Sequence, residues 1–300
     1  MAGTLEQRRR LIGIAAVLPA LVVLAAVLGY PILDSMWLSL HKVNVGASGF
    51  ARSFVGIANY AALAADPKFL AALLRSAYFT TAEVAAVTLL GLGVALLLVH
   101  PLGRFGFFRI MLLIPWAIAP VANAVLWKWI LNANHGILNV LLLQLGVIDG
   151  YVTWLGTPWR ALHMILLVDV WKSIPFIAIL FIAGLSKIPP MLYSAARLDG
   201  ANAWAQFRYI TLPALKPTIG IAVILQTLWS LRVFELIFVL TKGAPADGTV
   251  LLNYFAYRTT FDFLDLGYGA AAANVIFALS FLLAAVYVWL LRPSRRQRAA

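Results

Sequence analysis

From Leu11 to Leu33 the chain runs without a single charge, and from Leu266 to Leu291 it does so again. A helix needs about 20 apolar residues to cross the hydrocarbon layer of a bilayer. Four further stretches meet that length: Ser76 to Val99, interrupted by Glu83; Ile110 to Trp129; Ala161 to Leu185, carrying Asp169 and Lys172; and Thr218 to Leu240, carrying Arg232 and Glu235. Only helices or closed barrels satisfy their own backbone groups in lipid. Six such runs predict an all-α polytopic bundle of six transmembrane helices. Ile137 to Ile148 is apolar but too short to cross, and is expected to be an interfacial or re-entrant piece.

Composition agrees. Hydrophobic residues make up 63% of the chain and charged residues only 11%, against roughly 25% in soluble domains. The formal net charge of +12 sits on short segments flanking the apolar runs, with no motif that reads a nucleic-acid groove, so nucleic acid is not an expected partner. Arg8–Arg10 precede the first run. That run is longer than the 7–15 residues of a signal-peptide core and ends in Tyr30-Pro31, so it is expected to stay as a span. With the N-terminus inside, the inner segments hold thirteen basic residues against two acids, Glu6 and Asp199, and the outer segments hold seven. The positive-inside rule then puts both termini in the cytoplasm. There is no cysteine, which excludes disulfide and thiolate chemistry. The four histidines are scattered singly, so no metal site is expected. The stretch around Gly46 to Ser53 reads as an exposed external loop.

The inner segment between the fourth and fifth runs is the most informative. Pro190 suits the first turn of a helix. Met191, Leu192, Ala195 and Leu198 fall on one face of it, and Gly200 is positioned to end it. Trp204, Phe207 and Ile210 form a second apolar face, ended by Pro213. Two short helices joined at a glycine bend can lie on the membrane surface or dock into a partner; the residues alone leave both open.

The run Ser194-Ala195-Ala196-Arg197-Leu198-Asp199-Gly200-Ala201, followed by Phe207, Ile210 and Leu212-Pro213, resembles the cytoplasmic loop of binding-protein-dependent ABC import permeases. That family's pattern is Glu-Ala-Ala, a spacer, Asp-Gly-Ala, then Phe, Ile and Leu-Pro. This sequence has Ser194 at the glutamate position. Tyr30-Pro31 with Trp37-Leu38-Ser39-Leu40, Val55 to Tyr60, Trp171-Lys172 with Pro175-Phe176, and Phe234-Glu235 with Leu240 to Pro245 resemble the carbohydrate-uptake branch, and within it the first permease of maltose- or trehalose-type systems. The resemblance implies three parts: a first helix and external loop (1–75), a permease core (76–291) and a basic cytoplasmic tail (292–300). It implies a bacterial inner-membrane location, a second permease (a heterodimer, given Ser194), two ATPase subunits and an external solute-binding protein. Its coupling residues would be Ser194, Ala195, Ala196, Asp199, Gly200, Ala201, Phe207, Leu212 and Pro213.

The chain cannot be its own motor. A phosphate-binding loop needs a Gly-Lys pair, and none occurs. No cofactor is expected on this chain; ATP and magnesium belong to the partner ATPase. It is therefore expected to be a transport subunit and not an enzyme.

Charges inside spans usually face a bundle interior or water. Asp169 and Lys172 are three residues apart, as are Arg232 and Glu235, so each pair can neutralise itself along its own helix or line a solute path. Glu83 and Asn274 can bridge helices or join that path. Trp171 and Trp229 neighbour these positions and offer ring faces to a sugar. Trp116, Trp127, Trp129 and Trp289 read as interface anchors. The expected solute is a di- or oligosaccharide such as trehalose or maltose. The alternatives are a polyol or glycerophosphate-type solute in the same architecture, or an ion-coupled secondary transporter, which would show repeated halves.

Overall fold

The structure is a computed structural model, and it describes residues 2–46, 49–99 and 106–290. The tail 292–300, Leu291, His100, Arg104, Ala47 and Ser48 lie outside the described residues. The chain forms two compact units: Met1–Asp66 with Ala256–Phe277, and Pro67–Phe255 with Ala278–Ala300.

In the first unit, α1 (Ala2–Leu24) passes through one π-helical turn into α2 (Tyr30–Ser39), giving an apolar rod over Ile12–Ser39. The segment expected to be an external loop is an antiparallel hairpin of β1 (His41–Gly46) and β2 (Gly49–Phe54), pairing His41 with Phe54 and Gly46 with Gly49. Val43 and Val45 alternate with polar neighbours, the period-two pattern a strand needs. A short α3 (Ala58–Ala65) follows. The N-terminal half of α14 (Leu266–Leu290) completes the unit. Gly267 is there because nothing larger fits: a Cβ would stand 1.9 Å from the His41 carbonyl oxygen.

The second unit is built on α4 (Pro67–Val99) and α8 (Pro158–Leu185). Val87 and Ala95 of α4 pack with Ile177, Phe181 and Leu185 of α8, and with Leu215 and Ala222 of α11 (Leu212–Ser230). At Gly91 the two long helices come so close that a Cβ would lie 3.0 Å from Ile177 Cγ2. Small residues at such crossings let membrane helices gain packing energy that lipid cannot supply. Along the chain between α4 and α8 come α5 (Gly106–Ala117), α6 (Pro120–Ile130) and α7 (Ile137–Gln144). After α8 come α9 (Pro190–Leu198) and α10 (Ala203–Gln206), which runs through a π turn into α11. Then follow α12 (Glu235–Leu240) and α13 (Leu252–Tyr257).

Among the described residues, five helices are long and apolar enough to span a membrane, and six spans result if one bent pair counts as one. That pair corrects the third expected span. Met111–Ala117 and Pro120–Ile130 meet at 105°. Proline bars its predecessor from the helical region, and Ala119 duly sits at φ −57°, ψ 141°. The fifth expected span, Thr218 to Leu240, is also two pieces. Its helix stops at Ser230, Phe234 adopts φ −137°, and α12 starts afresh at Glu235. The fourth span begins earlier than Ala161, at Pro158, which fills the first helical turn without leaving an unpaired N–H. The short apolar piece is helical over Ile137–Gln144.

Candidate functional site

α6, which follows the bend in the third span, packs directly on α12, which follows the break in the fifth, and both adjoin α8 at one cavity. Together they enclose a cavity of about 140 Å³. From α6 come Pro120 and Asn123; from α8, Asp169 and Lys172; from the end of α11, Trp229; from the break after it, Arg232 and Val233; and from the first turn of α12, Glu235 and Leu236. Both members of each local charge pair therefore line one space. Among the described residues neither pair closes into an ion-pair contact. Lys172 acts on Asp169 through its field, and Asp169 lies against Glu83 of α4. Glu235 occupies the first turn of α12, where the helix dipole favours a carboxylate.

Glu83 itself is fully buried and does not line the cavity. Gln226 Nε2 of α11 donates to its Oε1 in a short hydrogen bond. Ser230 Oγ, also near Glu83, donates to Thr80 Oγ1 at 3.2 Å. Glu83 thus ties α4 to α11 behind the cavity, with Asp169 of α8 close by.

Asn123 has no counterpart in the sequence reading. It is fully buried, and neither its Nδ2 nor its Oδ1 has a hydrogen-bond partner. Buried polar groups are almost always paired, and among the residues lining this cavity Asn123 is the one whose side-chain amide finds no partner among the described residues. The signal was present: Asn123 stands alone among Ala, Val and Leu inside an apolar run.

The other expected path residues lie elsewhere. Trp171 meets Trp127 edge-on at 5.5 Å and does not line the cavity. Asn274 belongs to the first unit. There its Oδ1 accepts from Ser35 Oγ at 3.2 Å, and its Nδ2 donates to the Ser35 carbonyl at 3.2 Å and to Tyr60 Oη at 3.3 Å. Its polar capacity is used in joining α14 to α2 and α3.

The α9–α10 hairpin leaves α8 at Pro190. Gly200 has φ +80° and ends α9 with two bonds: Ala201 N–H to the Ala196 carbonyl at 2.8 Å, and Gly200 N–H to the Arg197 carbonyl at 3.1 Å. This is the Schellman arrangement, which favours glycine. Asn202 caps α10 by accepting from Ala205 N–H at 2.8 Å. Ser194 accepts from Arg197 Nη2 at 3.1 Å. Ala195 and Asp199 are exposed, Ala196, Ala201 and Phe207 half-buried. Leu212 and Pro213 open α11. Met191 and Leu198 are 79% and 91% exposed, and Trp204 69%, so the hairpin presents apolar side chains that nothing in this chain covers. A groove of about 900 Å³ runs beneath it, lined by Leu96, Leu185, Tyr193, Trp204 and Phe207 among others.

No family model matches the chain. Individual relatives do. It is 36% identical over 288 residues to the trehalose/maltose transport system permease protein MalF of Thermococcus litoralis, covering 96% of each. It is 35% identical over 283 residues to the sulfoquinovosyl glycerol transport system permease protein SmoG of Agrobacterium fabrum, covering 94% of this chain and 91% of the relative. A bacterial ABC transporter that imports the acidic polysaccharide alginate has the same fold, with a TM-score of 0.83, 20% identity, and 98% of this chain and 100% of the other covered. With bent spans, an intramembrane polar cavity, a projecting hairpin and relatives of this identity along nearly its whole length, the chain belongs to the ABC transporter permeases and is a transport subunit, its ATPase a separate polypeptide.

Proposed function

We propose that this permease forms the path by which a carbohydrate of two or more sugar rings enters the cytoplasm. The observation that carries the reading is that Asn123 of α6, with its unpartnered buried amide, and Trp229 of α11 line the same cavity. A sugar presents hydroxyls that need hydrogen bonds and an apolar face that packs on an aromatic ring. Pockets that fix small ligands combine apolar walls with a few placed polar groups in this manner. The relatives' names, trehalose/maltose and sulfoquinovosyl glycerol, support the same class.

The remaining roles follow from that reading. Asp169, Lys172, Arg232 and Glu235 orient the solute, and Glu83 holds the three helices that carry them. The α9–α10 hairpin docks into an ATPase that supplies ATP and magnesium, with Gly200 setting its bend. Two ATPase subunits, a second and different permease, and an external solute-binding protein complete the importer, and both termini lie in the cytoplasm. Pull-down of the tagged chain from native membranes should recover a P-loop ATPase and a second six-span permease. Uptake of labelled saccharide should then fall at least tenfold in Asn123→Leu. Recovery of the chain alone, or uptake indifferent to Asn123→Leu, removes the reading.

A second reading has its own support: Lys172 and Arg232 line the cavity without an ion-pair contact among the described residues, as a glycerophosphate-type anion would require. Competition of saccharide uptake by glycerol phosphate separates the two.

A further inference from the structure

The groove of about 900 Å³ beneath the α9–α10 hairpin has two unlike walls. One is made by the ends of two spans: Leu96 and Val99 of α4, and Leu185 of α8 with Ile188 just after it. The other is the hairpin, through Trp204 of α10 and Phe207 directly after that helix. The polar side chains that line the groove are spent within the chain. Ser186 Oγ donates to the Ala183 carbonyl at 3.0 Å, Tyr193 Oη and Thr211 Oγ1 share a bond of 2.9 Å, and Gln206 Nε2 donates to the Ala201 carbonyl at 2.9 Å. The space has the size of a ligand pocket, about 300–1,000 Å³, but it offers mainly hydrocarbon and ring faces. A hydrocarbon chain seated there would take apolar surface out of water.

The rim is basic. Between Ser186 and Lys216 the chain carries Lys187, Arg197, Arg208 and Lys216 against one acid, Asp199. Lys187 stands between two lining residues, Ser186 and Ile188, and Arg208 directly follows a third, Phe207. Both are exposed, and among the described residues neither has an ion pair or hydrogen bond. Arg197, by contrast, is engaged with Ser194. Trp204 and Tyr209 are exposed on the same segment. Trp and Tyr gather at headgroup level, and Lys and Arg on the cytoplasmic side of it. Apolar span ends on one wall, with cations and aromatic rings on the other, reproduce the step from acyl chain to headgroup.

We propose that this groove binds one anionic phospholipid of the cytoplasmic leaflet, with an acyl chain between α4, α8 and the hairpin and its phosphate held by Lys187 and Arg208. The inference rests on the cytoplasmic placement of the hairpin proposed above and is independent of the solute. Charge selects the occupant. A neutral lipid covers the apolar walls and leaves both cations idle, whereas an anionic one uses them, and each Lys or Arg near an anionic surface is worth about fivefold in affinity.

The test uses the assembled importer in phosphatidylcholine nanodiscs. A minor share of the lipid is phosphatidylglycerol, or further phosphatidylcholine, with brominated acyl chains that quench an indole they touch. The Trp204 signal is the difference between wild type and Trp204→Phe. Brominated phosphatidylglycerol should quench it about fivefold more than brominated phosphatidylcholine, and Lys187→Gln combined with Arg208→Gln should bring the two to parity. Equal quenching by the two lipids in the wild type overturns the site, as does a preference that the double variant leaves unchanged. Quenching by neither lipid means that protein covers the groove, and the proposal falls. Because the chain has no cysteine, Leu198→Cys reports the side on its own. Labelling by an impermeant maleimide in inside-out vesicles alone supports the cytoplasmic placement. Labelling in right-side-out vesicles alone removes that placement and the lipid site with it, whereas correct sidedness with equal quenching removes the lipid site only.

Discussion

Gln226 of α11 donates to the carboxyl of Glu83 on α4 across 143 positions of sequence, with both side chains removed from solvent. The bond joins the two helices close to Asp169 of α8. Removing one partner of a buried hydrogen bond strands the other, at about 1–3 kcal/mol, whereas replacing both by apolar groups of similar shape can be nearly neutral. Gln226→Leu alone is therefore expected to lower the Tm of the detergent-solubilised permease, and the double variant Glu83→Leu with Gln226→Leu to recover part of that loss. Additive losses in the thermal scans would mean that the two side chains stabilise the bundle independently.

Gly200 makes a sharper prediction. Its φ of +80° is closed to proline, and its N–H bonds the Arg197 carbonyl at 3.1 Å. Gly200→Pro breaks the turn between α9 and α10 without touching a span. Insertion and assembly in the membrane should persist while solute-stimulated ATPase activity uncouples from uptake. A variant that keeps both activities linked at wild-type rates leaves the hairpin without a transmitting role.

The spans and the hairpin were legible because each rests on a local pattern: charge-free runs of membrane length, and Asp199-Gly200 between two apolar faces. The breaks were harder to read. Pro115 and Pro120 both stand in an apolar run that has the length of one span, and only the backbone of Ala119 decides that the helix turns there. Nothing between Ser230 and Glu235 is a strong helix breaker, so the split in the fifth span depends on packing that periodicity does not register. Long-range capture is equally invisible. Asn274 looked like a path residue because it is polar within an apolar run, but Ser35, 239 positions away, takes up its side chain. Of the cavity residues, the charges announced themselves by their cost in lipid. Asn123 gave the same kind of signal more faintly, since an amide costs less there than a charge.

A third expectation concerns the segment that leads into α8. Asn139 of α7 is fully buried and makes four bonds: Nδ2 to the carbonyls of Ala133 and Val152 at 3.0 and 3.1 Å, and Oδ1 from Val152 N–H at 3.2 Å and Trp154 Nε1 at 2.9 Å. It closes the loop between α6 and α8 much as a short hairpin would. Asn139→Leu should cost at least about 2 kcal/mol, because several backbone and indole groups lose partners together. Limited proteolysis between Ala133 and Trp154 should become fast while the long helices stay protected. Cleavage at the wild-type rate would show that the loop is held by its apolar contacts instead.

The last prediction concerns the loop after α12. Arg75 of α4 donates through Nη1 to the carbonyls of Asp247 and Val250, at 2.6 and 2.9 Å, and the neighbouring Ser76 Oγ accepts from Leu252 N–H at 2.8 Å. The segment they hold contains Lys242, Ala246 and Asp247 at φ of 50°, 48° and 57°. Left-handed backbone at residues with a Cβ costs roughly 1–2 kcal/mol each, and persists only where surrounding contacts over-determine it. Arg75 is the charged member of those contacts, and its two bonds hold the C-terminal end of the strained run, at Asp247 and just beyond it at Val250. Arg75→Met keeps the length of the stem and removes the donors, so the loop should relax: amide hydrogen exchange across 242–250 should rise at least tenfold, with α4 and α8 unchanged. Arg75→Lys retains the charge but not the planar fork, and should recover only part of the protection. If exchange in the loop stays at wild-type levels in Arg75→Met, the Thr241–Thr249 hydroxyl bond at 2.7 Å and the Thr249 Oγ1 bond to the Ala244 carbonyl at 3.0 Å hold the conformation on their own.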